Sequence, residues 1–183
     1  MTLQNINSAL LDKLLLRVEK PARYTGGELI RLLVNHPHAE IKFINTRSNA
    51  GNPVSSVHQD LVGEALVFSA DVSNEVDVLF LCLGHGESKK FLQEHTIDPS
   101  VKVIDLANDF RLSINGQRPT HNGQPFIYGL PELNKEEIKK GGHIANPGCF
   151  ATAIQLGLLP LAKAGLLGEV YTTGITGSTG AGQ

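Results

Sequence analysis

Apolar positions along this chain fall into short blocks separated by polar, glycine-rich breaks. In "GGELIRLLVNHP", Leu29, Ile30, Leu32 and Leu33 recur at helical spacing, and Pro37 closes the pattern. "EIKFIN" then reads as a short strand. "DVLFLCLG" (77–84) is a continuous apolar run ending in glycine, the pattern of a strand buried on both faces. "ESKKFLQEH" predicts a short amphipathic helix, "VKVIDL" a second buried strand, and "HIAN" (143–146) a brief third. "CFATAIQLGLLPLAKAG" predicts a long apolar helix stopped at Gly165, and "EVYTTGITG" a strand after it. Residues 107–142 are polar and turn-rich. Strands alternating with helices imply an α/β fold, with a parallel sheet covered by helices on both sides.

Composition narrows the class. Of 183 residues, 41% are hydrophobic and the net charge is −2, which suits a globular chain and offers no basic patch for nucleic acid. No apolar run approaches the ~20 residues needed to cross a bilayer, so no membrane partner is expected. The start, "MTLQNINSALLDKLLLRVEK", lacks the basic, apolar and small-residue succession of a secretory signal. Two distant cysteines exclude a disulfide framework and a thiol-rich zinc site, and the histidines show no ligand spacing, so no metal is expected. A reducing, cytoplasmic setting follows.

In parallel sheets ligands bind beyond the carboxyl ends of the strands. Three loops qualify: "CLGHGES", "DLANDFRL" and "NPGCF". In the last, Pro147 and Gly148 break the strand and place Cys149 in the first turn of the helix. Unpaired amides and the helix dipole there favour a thiolate, and hence a nucleophile. The alternative is a small buried residue opening a core helix. Cys82, inside an apolar strand, reads as core. Gly84 and Gly86 suit close approach of backbone to a ligand, and His85 between them reads as a loop histidine rather than a general base. Arg111 either clamps a carboxylate or phosphate or, with Asp109, braces its loop.

"IANPGCFATAIQLGLLP" closely resembles the active-site signature of the N-acetyl-γ-glutamyl-phosphate reductase family of arginine biosynthesis. "YTGGELIRLLVNHP", "INTRSNAG", "DVLFLCLGHGES", "VIDLANDFRL" and "YGLPEL" resemble the family's other blocks, in the family's order, from Tyr24 to Gln183. The resemblance implies a Rossmann-like, doubly wound NADP(H)-binding domain over residues 1–148. It places the start of a second α/β domain, for catalysis and dimerisation, at 149–183. Cys149 is then the nucleophile toward a small-molecule acyl phosphate. It forms a thioester with loss of phosphate, and hydride from NADPH yields the semialdehyde. Thr25, Gly26 and Gly27 fall near the cofactor phosphates, Arg47 and Ser48 suit a 2′-phosphate, and Arg111 and Asn146 are the substrate-binding candidates. A homo-oligomer is expected for the full-length family.

Three departures stand against that pattern. Lys20, Pro21 and Arg23 occupy the place of the family's glycine-rich turn, which weakens dinucleotide binding. The family usually has serine where Ala107 stands. Its general-base histidine falls beyond Gln183, so a truncated and inactive form is expected. Residues 1–23 read as a product of a frame shift or mis-set start, poorly packed and helical over 8–18, although "KLLLRV" is apolar enough to fill a strand slot. Two other readings stay open: an aspartate-semialdehyde-dehydrogenase-like enzyme, and a non-catalytic nucleotide-binding fragment.

Overall fold

The structure, a computed structural model, describes residues 14–19, 24–46, 48–70, 73, 75–177 and 180. The chain runs β1 (Leu14–Glu19), α1 (Tyr24–Val34), β2 (Ala39–Asn45), two 3-10 turns (Val54–Ser56 and Gln59–Leu61), β3 (Phe68–Ser69), β4 (Val78–Leu81) and α2 (Glu87–Glu94). It continues through β5 (Lys102–Asp105), β6 (Thr120–His121), β7 (Gln124–Tyr128), α3 (Pro131–Lys139), β8 (His143–Ala145) and α4 (Cys149–Lys163). The strands form one sheet in the order β3-β2-β1-β4-β5-β8-β7-β6. Every pairing is parallel except the β6–β7 hairpin.

The two faces follow from side-chain alternation. Leu79, Leu81 and Val103 point to one side and pack with Leu92 of α2 and Phe126. Val78 and Leu16 point to the other, against Leu33 of α1, Phe80 and Ile104. Ile30 of α1, Ile44, Val54, Leu61 and Phe68 close the β2–β3 end. Helices therefore cover both faces, as the alternation of blocks requires.

The N-terminal expectation needs correction. Leu14–Val18 is not helical: it forms the central strand β1, paired with β2 and β4, and Leu16 and Val18 are buried. Residues 8–13 lie outside the described residues. Ladder hydrogen bonds on both edges outweigh the weak helical periodicity of the segment. The cost lies in the two polar positions on one face. Arg17 and Glu19 are both buried and form an ion pair at 2.7 Å, with the Arg17 guanidinium 5.7 Å from the Phe91 ring centre. Arg17 Nε has no partner among the described residues.

Three further differences concern local order. "EVYTTGITG" forms no strand; residues 166–177 are exposed and run without a ladder partner among the described residues, and a strand is defined by its neighbour. Within 107–142 the chain hides a hairpin and α3. The hairpin turns on Asn122 and Gly123, both at positive φ (49° and 73°), the two-residue turn that Asn-Gly favours. Finally, α4 begins at Cys149 as expected, but none of its residues is buried.

Candidate active site at the carboxyl ends of the strands

Because β2, β1, β4, β5 and β8 are parallel neighbours, the segments that follow them share one edge of the sheet. That edge carries all the described candidates. Cys149 is the first residue of α4 and is exposed, so the reading as a buried residue opening a core helix is set aside. Gly148 is the N-cap, in extended conformation (φ −73°, ψ 154°), and its carbonyl accepts from the Thr152 N–H (2.8 Å) and hydroxyl (2.9 Å). Beside it lies an open groove of about 730 Å³, lined by Cys149, Phe150, Ala153 and Ile154 of α4 and by Thr172–Thr176.

The loop after β5 reaches to both sides. Asp105 is fully buried; its Oδ1 accepts from the Ser88 hydroxyl (2.5 Å) and the Ala107 N–H (3.1 Å). Oδ2 has no partner among the described residues, and burial pushes the carboxyl above its ordinary range. Asp109 accepts from Gly86 N–H (2.9 Å) and Lys89 N–H (3.4 Å), so an internal carboxylate already occupies the amino end of α2. The Gly84 N–H donates to Glu87 Oε2 at 3.1 Å. Arg111 donates from Nε to the Asn146 carbonyl (2.8 Å) and from Nη2 to the Leu106 carbonyl (2.9 Å). Asn146 is exposed; its N–H donates to the Asp105 carbonyl at 2.8 Å.

On the β1–β2 side, Thr25 is exposed in the first turn of α1, while Gly26 and Gly27 are buried. A Cβ on Gly27 would collide with the His58 imidazole, so that glycine is required by packing whatever it does for a ligand. Ser48 is exposed, its hydroxyl 3.2 Å from that of Thr46. Arg47 lies outside the described residues. The structure thus gathers Gly84, Gly86, Arg111, Asn146 and Cys149 around β4, β5 and β8, with Thr25 and Ser48 further along the same edge.

Cys82 directly follows β4, and burial, with the Asp105 and Glu19 carboxylates, pushes its thiol up to about 12. The loop of Gly129, absent from the candidates drawn from the sequence, packs against the cysteine segment. Its N–H donates to the Ala145 carbonyl (2.9 Å), and a Cβ there would stand 2.7 Å from Ile144 Cγ2. The available signal was "FIYGLP", an apolar run broken by glycine and proline.

A doubly wound, mostly parallel sheet with glycine loops at its carboxyl edge defines a Rossmann-like, nucleotide-binding class. The chain belongs to the semialdehyde dehydrogenase family: a model described as "Semialdehyde dehydrogenase, NAD binding domain" matches residues 23–141. One described as "Semialdehyde dehydrogenase, dimerisation domain" matches 149–183. The chain is 56% identical over 162 residues to an N-acetyl-gamma-glutamyl-phosphate reductase of Azobacteroides pseudotrichonymphae, covering 87% of this chain and 49% of that relative. It is 54% identical over 164 residues to the reductase of Phocaeicola vulgatus, covering 88% and 49%. It therefore spans about half the length of the curated relatives it matches. Among solved structures, the aspartate semialdehyde dehydrogenase of Candida albicans aligns with a TM-score of 0.56 at 20% identity, over 85% of this chain and 48% of that one. Aspartate semialdehyde dehydrogenase II of Vibrio cholerae aligns at 0.55 and 18%, over 84% and 47%. These two show the fold. Among the described residues, no helix is long and apolar enough to cross a membrane.

Proposed function

We infer that this chain carries the nucleotide-binding and nucleophile-bearing part of an NADP(H)-dependent reductase of N-acetyl-γ-glutamyl phosphate, a protein that works as a homo-oligomer. The observation that carries the reading is Cys149, exposed on the groove at the start of α4, in a chain 54–56% identical to relatives named for that reaction. The Cys149 sulfur attacks the acyl carbon, the carbon–oxygen bond to phosphate breaks, and phosphate leaves with its electron pair. A thioester remains. The unpaired amides of the first turn of α4 favour negative charge as it develops there.

The tip of β2 fits a phosphorylated dinucleotide, while Lys20, Pro21 and Arg23, at the place of the glycine-rich turn, lie outside the described residues. The tip of β2 reads "NTRSN", with the Thr46 and Ser48 hydroxyls and no carboxylate to repel a 2′-phosphate. Ser48, Arg47 and Thr25 with the backbone of Gly26 would hold it. When bound, its nicotinamide supplies the hydride that reduces the thioester carbon. Cys149 then serves as the leaving group, released as thiolate when the semialdehyde forms.

A burst experiment tests this. Mixing the chain with N-acetyl-γ-glutamyl phosphate should release one equivalent of phosphate and leave an acyl adduct on Cys149, visible by mass spectrometry. Cys149→Ser should give neither. An equal burst from the serine variant, or acylation by aspartyl phosphate alone, refutes the assignment.

A further inference from the structure

Three consecutive residues, Asp109, Phe110 and Arg111, each hold a different part of the cleft. Asp109 binds the Gly86 and Lys89 amides at the start of α2. Phe110 is buried and stacks on Phe126 of β7, ring centres 4.0 Å apart and nearly parallel. Arg111 bridges the Leu106 carbonyl after β5 and the Asn146 carbonyl after β8. Its Nη1 stands 3.0 Å from the point a Cβ on Gly148 would occupy, so the guanidinium lies directly against the N-cap of α4.

We propose that Arg111 is a positioning residue for Cys149: it acts through the backbone of Asn146–Gly148 to set the first turn of α4, while Asp109 fixes the α2 loop independently and Phe110 anchors both to the core. This deepens the reading of Cys149 as the attacking group and rests on it. Adjacent strands β5 and β8 end together, at Asp105 and Ala145, and the Arg111 guanidinium spans the segments that follow them. A planar guanidinium with forked donors spans two carbonyls at fixed spacing; an ammonium does not. With Asn146 released, Gly148 leaves its extended conformation and Cys149 loses its alignment with the first-turn amides. The thiol then reacts more slowly even with no substrate present, which separates this role from a direct grip on substrate.

The test uses the 183-residue chain and variants Arg111→Ala, Arg111→Lys and Asp109→Asn. The rate of iodoacetamide labelling at Cys149 is read by mass spectrometry, with buried Cys82 as the internal monitor of unfolding. Both Arg111 variants should label Cys149 about tenfold more slowly than the parent. Low-millimolar guanidinium ion should restore the rate in Arg111→Ala and not in Arg111→Lys. Asp109→Asn should label at the parent rate while the Gly86 and Lys89 amides exchange faster. Parent-rate labelling in Arg111→Ala, an equal slowing in Asp109→Asn, or no recovery with guanidinium overturns the proposal. Should Cys82 label in Arg111→Ala, that variant has opened and Arg111→Lys decides, a parent rate again overturning it. Failure of the burst at Cys149 would sink the functional reading without altering these labelling rates.

Discussion

At pH 7 a thiol pushed up to about 12, as Cys82 is by burial beside Asp105 and Glu19, is ionised in only about one molecule in 10⁵. Cys149 is exposed at the start of α4. Iodoacetamide at neutral pH should therefore label Cys149 and leave Cys82 intact until the protein is denatured. Equal labelling of the folded chain at both sites would remove the distinction. The break that exposes Cys149 is legible in the sequence, because Pro147 and Gly148 end a strand and free the next residue to open a helix. The contacts of Arg111 are not legible. Its partners are backbone carbonyls 5 and 35 positions away, and a carbonyl leaves no mark in the sequence. The packing need for Gly27 is hidden for the same reason: its neighbour His58 comes from a distant turn.

Among the elements, β1 is the least expected. Its central slot is filled by residues that precede the family match at 23–141, and the slot accepts them because its ladder is made by backbone. The buried Arg17–Glu19 pair is the cost. Arg17→Met alone should destabilise the fold by about 3–5 kcal/mol, because it strips a buried carboxylate of its guanidinium. Arg17→Met with Glu19→Leu should recover most of that loss or exceed the parent stability. Urea denaturation reads both, and a double variant worse than the single one contradicts the account.

A second element-scale prediction concerns His143 at the start of β8. Its Nδ1 accepts from the Val103 N–H (3.1 Å) and its Nε2 donates to the His121 carbonyl (3.1 Å), so the ring must be neutral to join β5 to β8. Burial, with His121 and Lys102 nearby, holds its pKa down to about 4, while the unfolded chain takes the proton near 6.5. Between those values the unfolded state binds the extra proton, so stability rises with pH across that window. It is lost as pH falls from 6.5 to about 4, on the order of 3 kcal/mol in all, and this group adds no slope below that. His143→Asn should flatten the stability profile between pH 4 and 6.5. An unchanged slope would assign the effect elsewhere. The sequence marks β8 at "HIAN" (143–146), but the Asn-Gly hairpin sits in a stretch whose polar residues mask it.

For the whole molecule, α4 and the segment after it are set apart. Most apolar residues of the sheet are buried, although Tyr24 and Leu32 of α1 are not; in α4 and the segment after it, Phe150, Ile154, Leu156, Leu161, Leu166, Leu167, Tyr171 and Ile175 are exposed. An apolar surface of this extent favours association. The chain should bind the dye ANS and show concentration-dependent sedimentation, and Ile154→Lys with Leu161→Lys should reduce both without lowering the unfolding midpoint of the sheet. A strictly monomeric, dye-free chain would contradict this. The block pattern conveys the alternating architecture because burial on two faces forces continuous apolar strands. It conveys neither strand order nor which apolar helix finds a cover, since both depend on contacts between segments far apart in sequence.

The position of β1 also bears on how the chain is made. It leaves the ribosome before the other described strands, yet it lies in the middle of the sheet, and its partner on one side, β4, begins about sixty residues later. At about 5–20 residues per second, that edge of Leu16–Glu19 waits roughly 3–12 seconds for its mate. During this interval the nascent chain offers an open strand edge, while β2 has already closed the other. Neighbouring chains on the same message would meet that edge at its most available, so slow decoding between the codons for β2 and β4 would lengthen the exposure, and fast decoding would shorten it.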